Sequence, residues 1–143
     1  GGAEGEKIAA GGPGKAEGLA TGYFVRTTVF RDVNNEMKIA REEIFGPVLG
    51  IMPVSSMQEA LAIACDTDYG LHATVFTQDI DQAIHMARSL PCGTVSVNGY
   101  SEGDIKTPFG GYKQSGSMAR DNGTEALEQY LQTKTIWIQT KAG

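Results

Sequence analysis

The sequence predicts an α/β fold built on a parallel sheet with crossover helices. Hydrophobic residues make up 41% of the 143-residue chain and charged residues 20%, which is the composition of a globular domain. Short apolar, β-branched runs alternate with segments whose apolar residues follow helical spacing. Each helical segment is long enough to return the chain in the same direction, so the strands on either side should be parallel.

The N-terminal segment is rich in glycine. Eight of the 19 glycines lie in residues 1–22, where Lys7–Ala10 is the only short apolar run. We therefore expect a flexible segment with one short strand. Aromatic and β-branched residues then predict a strand over Tyr23–Phe30, followed by a polar turn over Asp32–Glu36.

The first of two successive βαβ units is predicted to begin with the apolar run Val48–Val54. Ser56 and Glu59 have the spacing of a capping box, in which each side chain bonds the other residue's backbone N–H at a helix start. Apolar residues at helical spacing follow, so a helix should lead to a second strand over Ala73–Phe76.

The second βαβ unit shares the strand Ala73–Phe76. A helix should begin at Asp79 and end at Pro91–Gly93, and the strand Thr94–Val97 should complete the unit. Ligands of such sheets bind at the carboxyl ends of the strands. The loops expected to carry function are therefore those after Val54, Phe76 and Val97.

The remainder of the chain is less regular. Residues 99–121 form a long, glycine-containing loop, which is typical of a functional or disordered segment. A short helix is predicted over Asn122–Leu131, capped by Asn122 and Glu125. The alternating run Thr135–Thr140 predicts a final strand with nothing after it to pair with, so it could add to another sheet edge.

The composition excludes several classes of function. The net charge of -5 argues against a partner bound through its phosphates, so we expect no nucleic acid. No run of 18 apolar residues occurs, so we expect no membrane span. Cys65 and Cys92 are too few for a disulfide framework, and His72 and His85 lack metal-ligand spacing. We expect no metal site, a cytoplasmic location, and, without an initiator Met, a fragment of a longer protein.

Two motifs carry a specific signal. Glu42–Val48 (EEIFGPV) leads into a strand, and Pro108–Gly116 (PFGGYKQSG) lies in the long loop. Together with three segments between them and Lys134–Ile138 (KTIWI), they resemble the C-terminal portion of the NAD(P)-dependent aldehyde dehydrogenase superfamily over roughly residues 21–140. Within it, the loop and KTIWI look most like the γ-glutamyl-γ-aminobutyraldehyde dehydrogenase branch.

The resemblance implies the distal half of an aldehyde dehydrogenase catalytic domain plus the oligomerisation strand. The predicted segments are a flexible one (1–22), indicated by its glycines, and, from the resemblance, the C-terminal part of the catalytic domain (23–132) and an arm strand (133–143). Enzymes of the family oxidise an aldehyde with NAD or NADP, using a nucleophilic Cys and a Glu base that both precede EEIFGPV. This chain lacks them, so alone it should be inactive, and the parent enzyme should be a homo-oligomer through the C-terminal strand.

The resemblance also assigns cofactor residues. Glu43 matches the carboxylate that holds the nicotinamide ribose hydroxyls, and a carboxylate can accept two such donors at once. Phe45 matches the aromatic residue beside the nicotinamide. The alternatives are an ordinary surface or helix-cap glutamate and a core phenylalanine.

Substrate contacts are assigned in the same way. Tyr100, Glu102 and Asp104 match the loop at the substrate entrance, and Phe109 matches an aromatic near the mouth of the aldehyde tunnel. The two carboxylates indicate either a preference for cationic amino-aldehydes or a solvated polar loop. A different class of function stays open as well: a stand-alone assembly module that pairs through the segment Thr135–Thr140.

Overall fold

The computed structural model describes residues 4–19, 21–100 and 103–141. The chain divides into two compact units, Gly1–Asp68 and Tyr69–Gly143, and helices and strands occur in both. This content confirms the predicted α/β class. The predicted segment boundaries at 22/23 and 132/133 stay predictions.

A three-stranded mixed sheet organises the first unit. Its strands are β1 (Lys7–Ala10), β2 (Thr28–Arg31) and β3 (Val48–Gly50), in the spatial order β1-β2-β3. β1 runs antiparallel to β2, whereas β2 and β3 are parallel. The short strand expected in the glycine-rich segment is therefore confirmed as β1.

Two predicted strands are shorter than expected. Residues 23–27 belong to no strand, and the ladder of β2 begins only at Thr28, whose N–H donates to the carbonyl of Pro47 at 2.9 Å. β3 ends at Gly50 instead of Val54. Apolar composition set both expectations, but a strand extends only as far as its partner does.

A single helical turn, α1 (Lys38–Arg41), connects β2 to β3. Sequence patterns did not predict it, because one turn is too short to show a period. Next to it lies the buried core of this unit, formed by Phe30, Val33 and Met37 with four partly buried neighbours, Ile39, Ala40, Val48 and Met52. The core thus holds α1 against the sheet that supports the following segment.

Helix α2 (Met57–Cys65) begins where predicted. The Ser56 hydroxyl accepts a hydrogen bond from the Glu59 N–H at 3.1 Å, which is half of the expected capping box. The other half differs, because the Glu59 carboxylate accepts from the N–H (2.7 Å) and hydroxyl (2.6 Å) of Ser55. These hydrogen bonds lower the pKa of Glu59 below its ordinary value.

The second unit contains four strands: β4 (Tyr69–Gly70), β5 (His72–Val75), β6 (Thr94–Val97) and β7 (Tyr112–Lys113). Helix α3 (Ile80–Ser89) connects β5 to β6, which pair in parallel with all four residues in register. The second predicted βαβ unit is therefore confirmed.

The first predicted βαβ unit is wrong. β3 takes β2 as its parallel partner, and β5 takes β6, so the strands on either side of α2 belong to different sheets. The sequence did not predict this pairing, because α1 is too short for apolar periodicity to reveal the crossover that joins β2 to β3.

The described part of the long loop, residues 99–100 and 103–121, contains backbone pairing that the sequence did not predict. β7 pairs antiparallel with β4, and Phe109 forms an isolated bridge with Asp121. Backbone N–H groups donate across this bridge in both directions, at 2.6 and 2.7 Å. Backbone pairing therefore holds the motif PFGGYK at two of its own points, Phe109 and Tyr112–Lys113.

The C-terminal elements also differ from expectation. A 3₁₀ helix occupies Thr124–Tyr130, preceded by Gly123, and no side chain caps it, so the predicted cap by Asn122 is wrong. Asn122 itself adopts the left-handed conformation, with φ of 61°. Thr135–Thr140 forms no strand in the described part of the chain, since no other segment there pairs with it.

Candidate functional site

The predicted cofactor residues lie on the short segment that joins α1 to β3. The chain leaves α1 at Glu42 in an extended conformation, with φ of -104° and ψ of 140°. Phe45 then takes a left-handed φ of 51°, which is uncommon for residues other than glycine. Its ring is 90% exposed, so burial does not compensate for this conformation. The segment ends at Pro47, which the hydrogen bond from Thr28 holds against the sheet.

A cavity of about 820 Å³ lies within the first unit, and Glu43 forms part of its wall. Three more carboxylates (Glu4, Glu6 and Glu42) and one ammonium group (Lys38) line it together with apolar side chains. Such a wall accepts hydrogen bonds from hydroxyl groups and disfavours phosphates. Phe45 lies outside this wall, so the cavity does not bring the two predicted cofactor residues together.

A cluster of polar side chains joins α1 to the end of α2. The Arg41 guanidinium donates to both carboxylate oxygens of Asp66, at 2.8 and 3.2 Å, and to its backbone carbonyl at 2.9 Å. The Asn35 amide also donates to the Asp66 carboxylate, at 3.0 Å. The hydrogen bond to Asp66 raises the pKa of Arg41. We did not predict this cluster, since its members are far apart in sequence and form no motif.

Two of the loops predicted to carry function meet at the carboxyl ends of β5 and β6. The Asn98 side chain accepts from the N–H of Thr77 and donates to its carbonyl, both at 2.8 Å. Asn98 has a left-handed φ of 54°, and its own N–H donates to Val75. This reciprocal clamp fixes the direction in which the chain leaves β6 toward Tyr100.

Tyr100 is exposed and contacts a histidine. Its ring centroid lies 5.1 Å from that of His72, with the planes tilted by 41°. The His72 Nε2 is 2.9 Å from the hydroxyl of Ser96 on the neighbouring strand. The sequence showed only that His72 lacks metal-ligand spacing, and the structure places its ring in contact with the predicted substrate residue Tyr100.

The other predicted substrate residues are placed separately. Asp104 is exposed, and its carboxylate accepts from the N–H of Lys106 at 2.9 Å within a tight turn closed by Thr107. Phe109 is half-buried in the bridge to Asp121. Glu102 lies outside the described residues.

Glycines allow the PFGGYK segment to approach β6. A Cβ on Gly93 would overlap the carbonyl oxygen of Gly110 and lie 2.7 Å from its carbonyl carbon. The N–H of Gly93 donates to the carbonyl of Gly70 at 3.0 Å, which ties the same point to β4. The close approach explains why a side chain cannot occupy Gly93, and it sets the position of the loop that carries Phe109.

Other kinds of site have less support. Among the described residues, no three or more His, Cys, Asp or Glu side chains are grouped so as to hold a metal ion. No helix in residues 4–19, 21–100 or 103–141 is long and apolar enough to cross a membrane. Cys65, on α2, and Cys92, after α3, are both half-buried.

Comparison with known proteins gives consistent results. A profile of the aldehyde dehydrogenase family matches residues 1–136. A betaine aldehyde dehydrogenase of Brucella anthropi is 45% identical over 138 residues, covering 96% of this chain and 28% of that protein. The chain therefore spans less than a third of the length of the curated relatives it matches.

Solved structures agree in fold. The aldehyde dehydrogenase of Mycobacterium tuberculosis in complex with NAD+ is 44% identical, with a TM-score of 0.87 over 98% of this chain and 28% of that one. A mutant of aldehyde dehydrogenase C from Pseudomonas syringae, in complex with NAD+ and octanal, is 46% identical, with a TM-score of 0.86 over 92% and 27%. This chain belongs to the aldehyde dehydrogenase family.

Proposed function

We propose that this chain is the C-terminal portion of an NAD+-dependent aldehyde dehydrogenase. In this proposal Glu43 accepts hydrogen bonds from the nicotinamide ribose hydroxyls, and Phe45 lies beside the nicotinamide ring. The observation that carries it is the conformation of Phe45. A left-handed φ costs about 1–3 kcal/mol in a non-glycine residue, and such conformations cluster at functional sites. Within this chain the residue is 90% exposed, so no packing against residues 4–19, 21–100 or 103–141 offsets that cost.

The two predicted residues fit the nicotinamide ribose end of the proposed cofactor, which carries hydroxyl groups and a planar ring. The Glu43 carboxylate is exposed in a cavity wall that favours hydroxyl donors, and the Phe45 ring leaves a face open to a planar partner. Bound NAD+ would supply the hydride acceptor for oxidation of the aldehyde. Glu43 and Phe45 would hold and orient the cofactor for that transfer. The relatives solved with NAD+ support this cofactor over NADP.

Substitution of Glu43 in the full-length protein tests the proposal. Glu43→Gln keeps the shape and removes the charge, so we expect kcat to fall by about 10- to 100-fold through misplacement of the cofactor, with a change in the rate-limiting step. The matched control is Glu17→Gln, an exposed carboxylate of the same unit outside the cavity wall, which should leave kcat unchanged. Steady-state and single-turnover kinetics measure both variants, and unchanged kinetics for Glu43→Gln would contradict the ribose-binding role.

We further propose a cationic aldehyde as substrate. The relatives of the Brucella species are named betaine aldehyde dehydrogenases, whose named substrate carries a quaternary ammonium group. Exposed carboxylate in the entrance loop, at Asp104, supports the same charge preference. The γ-glutamyl-γ-aminobutyraldehyde branch rests on motif resemblance alone and stays a prediction.

A neutral aldehyde with the shape of betaine aldehyde distinguishes recognition of charge from recognition of shape. We expect Asp104→Asn to lower kcat/KM for betaine aldehyde by about 1.4- to 5-fold, since an exposed charge pair contributes roughly 0.2–1 kcal/mol. Asparagine keeps the oxygen that accepts from Lys106, so the turn should persist. With 3,3-dimethylbutanal the variant should match the wild type. An equal loss with both aldehydes would show that Asp104 acts only on loop structure.

The alternative, a stand-alone assembly module, predicts a different outcome. The enzyme proposal requires that the 143-residue chain alone reduces no NAD+, while the full-length protein does so with an aldehyde. An assembly module would associate through its C-terminal segment and never gain activity. We propose association within the enzyme itself, because Ile136, Trp137 and Ile138 are 69%, 93% and 81% exposed and available to a second subunit. The cytoplasmic location rests on composition and stays a prediction.

A further inference from the structure

The segment that carries Glu43 is anchored at both of its ends. At its C-terminal end, Pro47 and β3 are bonded to β2, as the hydrogen bond from Thr28 to Pro47 shows. At its N-terminal end, the chain leaves α1, which consists of only four residues, Lys38–Arg41. A helix of one turn has little stability of its own, so its position depends on the contacts that hold it.

Besides the hydrophobic core and a hydrogen bond from the Lys38 N–H to the Glu4 carboxylate (2.9 Å), these contacts include a polar cluster on Asp66, the C-cap residue of α2. Arg41, the last residue of α1, makes a bidentate contact with the Asp66 carboxylate and a third hydrogen bond with its carbonyl. Asn35, before the start of α1, donates to the Asp66 carboxylate at 3.0 Å and to the Ile63 carbonyl at 3.0 Å. Asp66 thus holds the chain on both sides of α1.

The position of Asp66 at the C-terminal end of α2 strengthens the hydrogen bonds from Arg41 and Asn35. The end of a helix presents carbonyl oxygens that need donors and carries partial negative charge, and Arg41 and Asn35 supply donors to the end of α2. A planar guanidinium with two parallel bonds also fixes orientation, which a point charge such as lysine cannot do. The side chains of Arg41 and Asp66 are 37% and 55% exposed, so the pair adds little to overall stability, and its main effect is on geometry.

We propose that Arg41 and Asp66 are positioning residues for Glu43. Their bidentate ion pair sets where the segment Glu42–Gly46 begins, and this in turn sets the position of the Glu43 carboxylate. This inference rests on the proposed role of Glu43 in holding the cofactor. Neither residue lines the cavity whose wall includes Glu43. Their substitution should therefore alter catalysis through Glu43, whereas a merely structural pair would alter stability alone.

A double-mutant cycle in the full-length enzyme tests this coupling. Because a displacement of about 1 Å can cost about 100-fold in rate, and this anchor is partly exposed, we expect Asp66→Asn to lower kcat by about tenfold with the melting temperature nearly unchanged. In the Glu43→Gln background, Asp66→Asn should add less than a twofold effect, since the group it positions has already lost its charge. Arg41→Met should behave as Asp66→Asn does, and the two should not add.

Asp32→Asn is the matched control. It removes the same charge from another exposed ion pair of this unit, between Lys7 and Asp32 at 3.1 Å. Asp32 has a left-handed φ of 59°, which asparagine tolerates, so this variant should retain wild-type kcat. If Asp66→Asn does not yield folded enzyme, Arg41→Lys provides the same measurement. Lysine keeps the positive charge and loses the bidentate contact.

The outcomes distinguish the two proposals. If Glu43→Gln reduces kcat but Asp66→Asn and Arg41→Lys do not, only the positioning inference is wrong. If Asp66→Asn reduces kcat equally in both backgrounds, the pair acts independently of Glu43 and the inference is also wrong. If Glu43→Gln has no effect, the proposed function and the positioning inference both fail.

Discussion

The contact between β6 and the PFGGYK loop makes a quantitative prediction at Gly93. Replacement by alanine places a Cβ on the carbonyl oxygen of Gly110, 2.7 Å from its carbon and 3.3 Å from the Cα of Gly111. The two backbones must separate, and the hydrogen bond from Gly93 to Gly70 must lengthen. Overpacking costs about 1–3 kcal/mol and a lost hydrogen bond about 1 kcal/mol, so we expect Gly93→Ala to destabilise the fold by about 2–4 kcal/mol.

Gly99→Ala is the matched control for this change. A Cβ on Gly99 would meet no atom within 4 Å, and Gly99 does not have a positive φ. Alanine at such a position restricts the unfolded chain and should be neutral or stabilise by about 0.4–1 kcal/mol. Urea unfolding of the full-length protein, followed by circular dichroism, compares the two variants. If the free energies of unfolding of the two variants differ by less than about 1 kcal/mol, the close approach of Gly110 does not restrict position 93 to glycine.

Two further predictions concern Glu59 and the C-terminal segment. Hydrogen bonds from Ser55 lower the pKa of Glu59, so its contribution to stability should be present above the ordinary carboxyl pKa and lost as pH falls through the lowered value. The stability gap between wild type and Glu59→Gln should therefore shrink as the pH falls from about 6 to about 3. Sedimentation of the full-length protein should show dissociation when residues 134–143 are deleted or Trp137 becomes serine, but not with Tyr23→Ser, an equally exposed aromatic. A pH-independent gap, or an oligomer indifferent to Trp137, would contradict the respective prediction.

Sequence patterns located the elements whose signals are local. The helix start at Ser56, the helix after Asp79 and the strand Thr94–Val97 all lie where predicted, because capping side chains and apolar periodicity act over a few residues. The two motifs at residues 42–48 and 108–116 likewise identified the family, which the match over residues 1–136 confirms.

Local signals did not predict strand pairing. β3 pairs with β2 across a crossover of one helical turn, and the supposed loop after Gly99 contributes β7 to a pair with β4. Pairing depends on which distant segments can form hydrogen bonds with each other, and no single segment encodes that choice. For the same reason Thr135–Thr140 has strand composition but forms no strand in the described part of this chain.

The candidate site divides in the same way. The sequence by itself determined that Glu43 and Phe45 belong to a family motif, and that Asp104 and Phe109 follow in the loop after β6. Only the tertiary structure revealed that Arg41, far from Asp66 in sequence, bonds both of its carboxylate oxygens, and that the rings of His72 and Tyr100 lie 5.1 Å apart. Residue identity and local spacing specify which groups are available for chemistry, whereas the packing of helices and strands decides which of those groups come within hydrogen-bonding distance.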